Sequence, residues 1–145
     1  MKKWHILVAC LAIAAIARFS QFGGLQEKFG SATHGGDHVF ASAFAEHRGN
    51  FVAEGRGTVS RILSDDNDGS RHQRFIVELD TGQTLLISHN VDLAPRIETL
   101  AVGDSVSFKG EYEWNDKGGV MHWTHHDPRG QHEAGWVRHG GRTYQ

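Results

Sequence analysis

Residues 105–114 read SVSFKGEYEW, the cleanest alternation in a chain of 145 residues. Val106, Phe108, Gly110, Tyr112 and Trp114 fall on one face, and Ser105, Ser107, Lys109, Glu111 and Glu113 on the other. A period of two marks a half-buried strand. NDKGG (115–119) supplies a turn, and VMHWTHH (120–126) reads as the returning strand. With a four-residue turn from Asn115 to Gly118, Tyr112 opposes Met121 and Gly110 opposes Trp123. The apolar faces then coincide, the Trp123 ring lies over Gly110, and Glu111 falls opposite His122 on the polar face. A five-residue turn would set Met121 beside Glu113 and mismatch the faces.

Further strands flank this hairpin. GTVSRIL (57–63) leads into a polar loop, SDDNDGS (64–70), and then HQRFIVELD (72–80) alternates. A two-residue turn at Thr81-Gly82 joins it to QTLLISHN (83–90). DLAPRIETL (92–100) reads as a loop or short helical turn, because Pro95 pushes Ala94 out of the helical region. Gly103-Asp104 then turns into 105–114. GWVRHGGRTYQ (135–145) turns at Gly140-Gly141 and reads as an added hairpin. Five strands with an irregular link between the third and fourth match the order of an OB-type barrel. Upstream, Asp37 is expected to cap a short helix running to His47, with Gly49 as its stop. Phe40 and Phe44 share its docking face. The expected fold is therefore mainly β: a small OB-like five-stranded barrel over 51–145, with an N-terminal helix and a C-terminal hairpin.

The first 18 residues, MKKWHILVACLAIAAIAR, carry an export pattern. Lys2 and Lys3 precede an apolar run from Trp4 to Ala17, and Ala15-Ile16-Ala17 is a small-x-small cleavage site. The run is shorter than the ~20 residues of a bilayer span. The reading is a signal peptide, with an uncleaved membrane anchor as the alternative. Both place the rest outside the cytoplasm, in the periplasm, with the membrane touched only through this segment. LVAC (7–10) has the look of a lipoprotein box, but seven apolar residues follow it. Residues 19–50 then form a Gly-rich linker and the short helix. Cys10 is the only cysteine and leaves with a cleaved leader, so no disulfide framework or thiolate zinc site is expected.

Net charge is −2 and the pI about 6.6, which argues against general nucleic-acid binding. The 11 histidines are the compositional anomaly. They make charge sensitive near pH 6–7 and supply metal ligands.

DDNDGSRHQRF (65–75), HNVDLAPRI (89–97), GEYEWNDKGGVMHWTHHDP (110–128) and GWVRHGGRTYQ (135–145) resemble a family of small bacterial proteins catalogued as domain of unknown function 3465, with HWTH as the associated phrase. The resemblance covers nearly the whole mature domain. It implies an exported bacterial protein and brings no catalytic residue, substrate or cofactor.

Candidate chemistry must come from the residues. A two-residue turn at Thr81-Gly82 sets His72 opposite Val91 and Arg74 opposite His89. His72, Arg74, His89 and Asn90 then gather at the open end of that hairpin, with Asp92 and Arg96 following. Such a group binds an anion or positions a water; the alternative is a network tying the 91–97 loop to the barrel. Glu111–His122 is either a surface pair or a general acid–base pair with the carboxylate orienting the imidazole. A regular strand cannot gather His122, His125 and His126: the first two face opposite ways, and His122 and His126 lie about 13 Å apart. If the strand breaks at Thr124, His125 or His126 can join Asp127 and His132 in a loop metal site. SDDNDGS lacks calcium-loop spacing and reads as a solvated turn.

Two functions follow. One is a binding module for a small polar ligand, a glycan or an envelope protein, with Arg74, Asn90, Asp92 and Arg96 as ligand-binding candidates. The other is a small His/Asp-dependent hydrolase, metal-assisted in one version, such as a phosphoesterase or nuclease. Its catalytic candidates are His72, His89, Glu111, His122 and Asp127, and it requires these histidines to converge. No nucleophile elbow, zincin helix or P-loop is present. The sequence demands no cofactor and leaves a divalent metal held by histidine and carboxylate open.

Overall fold

The computed structural model describes residues 35–145. The export segment and the linker up to residue 34 lie outside the described residues. Helix α1 spans Gly35–Ala45, followed by β1 (Phe51–Ile62), β2 (His72–Glu78), β3 (Thr84–Asn90), β4 (Ser105–Glu113), β5 (Val120–His122), β6 (Trp136–His139) and β7 (Arg142–Tyr144). Among the described residues, no helix is long and apolar enough to cross a membrane.

Strand neighbours run β1-β2-β3-β5-β4, and β4 pairs back onto β1, which closes a five-stranded barrel. β3 and β5 are parallel, and the other barrel pairings are antiparallel. This is the expected barrel with its helix and C-terminal hairpin. β4 is the organising strand. One edge pairs with β1 from Phe51↔Tyr112 to Thr58↔Ser105. Along the other edge lie β6, on Val106 to Lys109, and β5, on Glu111 to Glu113. The alternation read at 105–114 is borne out: Val106, Phe108, Gly110 and Tyr112 are buried, and their neighbours are more exposed. They pack with Phe75, Val77, Leu85, Ile87, Met121 and Val137. The Gly140-Gly141 hairpin is also observed, with both glycines at positive φ, the backbone that a tight two-residue turn demands.

Helix α1 covers the core through Phe40 and Ala43. The Phe40 ring lies 6.1 Å from Phe108 and 5.6 Å from Tyr112. The boundaries differ from those expected. Asp37 sits inside the first turn, where its charge suits the helix dipole, and its Oδ2 accepts the Asp80 N–H at 3.1 Å. The helix ends at Ala45, and the residue that stops it is His47 rather than Gly49. His47 has φ 53°, its N–H bonds Phe44 O and the Arg48 N–H bonds Ala43 O. That is a Schellman ending with a non-glycine in the left-handed position. The His47 ring packs tilted against Trp114, centroids 4.3 Å apart and planes at 39°.

The β2–β3 register departs from the sequence reading by one residue. Gln73 pairs with His89, and His72 with Asn90. The cause is the loop. Leu79 N–H bonds Gln83 O and Gly82 N–H bonds Leu79 O, with Gly82 at φ 81°. The connection therefore holds three residues, Asp80 to Gly82, the turn-plus-bulge hairpin that places glycine in the left-handed region. A one-residue slip exchanges the faces of a strand. Here it aligns Phe75 with Ile87 and Val77 with Leu85, and turns His89 inward.

Candidate functional site

The β4–β5 register is as expected: Glu111↔His122, Tyr112↔Met121 and Glu113↔Val120. β5, however, stops at His122. The expected strand through His126 is broken because Trp123 adopts φ 55°, a conformation rare for a bulky side chain and costing about 1–3 kcal/mol. Alternation is reset at that point. Trp123 is 37% exposed instead of lying over Gly110, and Thr124 and His125 turn inward. Gly110 faces the chain itself: a Cβ there would lie 2.3 Å from His122 O. The exit segment is held by Gly135 N–H to His125 O at 2.9 Å.

The outward face of the β2-β3-β5-β4 wall carries the polar residues. Arg74 pairs with Ser88, and the parallel pairs Leu86↔Val120 and Ile87↔Met121 bring His122 level with Ser88. Glu111 lies beside His122, with His122 Nε2 3.8 Å from Glu111 Oε1. Glu113, two residues along β4, comes in diagonally. One donor atom from each of Glu111, Glu113 and His122 lies within 4.8 Å of the others. His122 Nε2 is itself buried and has no hydrogen-bond partner. Burial lowers the His122 pKa, and the charges of His72 and His125 add to that, while Glu111 and Glu113 oppose it. Trp123 adjoins this group, its ring 5.9 Å from His122 and 4.0 Å from His132.

His89 sits behind the wall, 0% exposed. Its Nε2 faces Pro95 O at 3.2 Å and its Nδ1 the Thr124 hydroxyl at 2.9 Å. A carbonyl can only accept, so Nε2 carries the proton and Nδ1 accepts from Thr124. Burial pushes its pKa down to about 4, against the raising effect of its hydrogen bonds and with further lowering from His125 and His72. His89 is thus a neutral buried bridge between β3, the 95 loop and the exit of β5. His72 is half-buried, with Nδ1–H donating to Ser70 O at 2.8 Å.

The other hairpin-end candidates form a network. Arg74 Nε donates to Ser64 O at 3.1 Å, and Asn90 Oδ1 accepts the Asp92 N–H at 2.9 Å. Asp92 accepts from Arg71 N and Nε at 2.8 and 2.7 Å, which lowers its pKa. Arg96 grips Asp65 through both terminal nitrogens. Gln73, missed in the sequence reading, clamps Ile97 from inside: its amide donates to Ile97 O at 3.0 Å and accepts Ile97 N–H at 2.9 Å. The available signal was its parity with Phe75 and Val77, which puts Gln73 on the apolar face of β2. These bonds tie the 64–72 and 90–97 loops to the barrel.

The loop grouping of His125, His126, Asp127 and His132 does not close as a set. His126 is exposed, and His125 Nδ1–H donates to His126 O at 2.8 Å. Asp127 accepts the backbone N–H groups of Arg129, Gln131 and His132. Burial would raise its carboxyl, but these donors outweigh it and hold the pKa at about 2. The carboxylate organises the turn. His132 Nε2 stays 3.7 Å from it, and the His125 and His132 rings meet edge to face at 5.5 Å.

No curated protein matches the chain. A family model described as a protein of unknown function, DUF3465, matches residues 24–145, which takes in the barrel, the wall and the tryptophan corner. The chain belongs to the DUF3465 family, whose member here is a small closed β-barrel.

Proposed function

We propose that this protein is an exported, periplasmic binding module that holds a small polar ligand, with a glycan as the first candidate, on the outward β4–β5 face. The carrying observation is Trp123, an exposed ring in a strained backbone beside Glu111, Glu113 and His122. An indole face stacks on the C–H face of a sugar, and flanking carboxylate and imidazole groups bond its hydroxyls. Strain held at an exposed aromatic is a signature of function. The test is amide and indole chemical-shift mapping of the purified protein against a panel of neutral and acidic oligosaccharides. Shifts should centre on Glu111, Glu113, His122 and Trp123 and vanish in Trp123→Ala. Shifts centred elsewhere, as at the cleft lined by Arg56, Trp136 and Arg138, would overturn the site, and an envelope protein captured through that cleft would replace the ligand class. Export is checked by finding the chain in the periplasmic fraction, free or tethered to the inner membrane.

The converged histidine site of the hydrolase reading is not supported, since His89 lies behind the wall and His122 on its outer face; what remains for that reading is the Glu111–His122 pair with an unpartnered Nε2. Turnover of phosphate mono- or diesters that is lost in His122→Gln would favour it over simple binding.

A further inference from the structure

Two carboxylates two positions apart on a strand project from the same face, about 6–7 Å apart at the backbone. Glu111 and Glu113 do so on β4, and β5 sets a histidine against them. Among the described residues, no lysine or arginine forms an ion pair with either carboxylate. The cation next along that face, Lys109, is engaged by Glu133 at 2.5 Å and Glu54 at 3.7 Å. Among the described residues the basic group that meets the pair is His122, and its facing nitrogen is shielded from water without a hydrogen bond. A buried nitrogen without a partner is unfavourable, and adjacent carboxylates repel. A shared cation removes both costs.

We propose that Glu111, Glu113 and His122 bind one first-row divalent cation, zinc or manganese, on the outer wall of the barrel. Two oxygens and one imidazole nitrogen are a mixed set suited to these ions rather than to calcium. Metal–ligand bonds of about 2.0–2.2 Å place neighbouring donors roughly 3.3 Å apart in a tetrahedral site. The donors here lie within 4.8 Å, so side-chain rotations of about an ångström complete the set. Three protein ligands leave a position open to water or a ligand oxygen. The proposal uses the same three side chains as the glycan reading but does not depend on it, since its test uses metal alone and a failed sugar titration leaves it standing.

The purified protein, free of any affinity histidine tag, is titrated with manganese chloride, and paramagnetic broadening of its amides is followed by NMR. The expected result is one-to-one binding, with Glu111, Glu113, Val120 and His122 broadening first and zinc displacing manganese. Glu113→Gln and His122→Gln should each weaken zinc binding by about tenfold or more while the metal-free melting temperature stays near that of the unaltered protein. With 11 histidines in the chain, adventitious binding is the competing outcome. Broadening centred on His125 to His132, or zinc affinity unchanged in both variants, would overturn the site. Should His122→Gln unfold the barrel, Glu113→Gln alone decides, because that side chain has no hydrogen-bond partner to lose among the described residues.

Discussion

His89 makes acid stability a direct readout of the fold. The unfolded chain protonates this imidazole at its ordinary 6.5, and the folded protein only near 4. Between those values the unfolded state binds more protons, so stability rises with pH. Above 6.5 the ring is neutral in both states and adds no slope; below 4 the full penalty remains. At about 1.4 kcal/mol per pH unit, the fall from 6.5 to about 4 is worth about 3 kcal/mol. The Thr124 hydroxyl can rotate to accept from a protonated Nδ1, so the penalty is one of desolvation and not of a lost bond. His122 and His125, lowered chiefly by burial, add slope of the same sign. Asp127 acts in a separate window, losing its contribution between 3.8 and about 2. His89→Gln keeps an acceptor for Thr124 and a donor for Pro95 but cannot titrate. Urea unfolding from pH 7.5 to 4.5 should show most of those ~3 kcal/mol lost in the unaltered protein and retained in the variant. Equal losses in both proteins would refute the reasoning, as would a His89 ring titrating near 6.5 or carrying its proton on Nδ1 in nitrogen NMR.

Three further outcomes are expected. Gln73→Leu leaves the buried Ile97 N–H without its acceptor and should cost about 2 kcal/mol in urea unfolding. Gly110→Ala forces a Cβ to within 2.3 Å of His122 O and should cost about 3 kcal/mol, with loss of β5 amide protection in hydrogen exchange. Arg96→Ala releases Asp65 and should cost under about 1 kcal/mol, while trypsin cuts the freed 64–72 loop at Arg71 markedly faster.

The barrel was legible where pattern and turn agreed. At 105–122 the alternation, the Asn115 to Gly118 turn and the face match admitted one register, and the structure has it. At Asp80 to Gly82 the turn residues suit loops of two or three residues equally, and only face matching decides. The two-residue choice would have set Phe75 opposite Ser88; applying that criterion would have turned His89 inward from the sequence alone. Trp123 was illegible for a different reason. Its left-handed backbone sits where Gly135 packs closely on Trp123 O and Thr124 Cα and bonds His125 O, a long-range contact that no local preference of tryptophan announces. The Glu111–Glu113–His122 grouping lay half in view: the register paired Glu111 with His122, and the diagonal approach of Glu113 needed side-chain geometry.

β5 is the barrel's slenderest stave. Two residue pairs join it to β3 and three to β4, whereas β1 and β4 are joined along eight. Partial opening of a protein follows its least-secured element, so the wall can part along this seam while the rest stays shut. Behind it lie His89, Thr124 and Tyr112, all shielded from water. Whatever settles across Glu111, Glu113 and His122 spans both sides of the seam and acts as its clasp. Occupancy on the outside of the barrel is thereby coupled to the dryness of its interior.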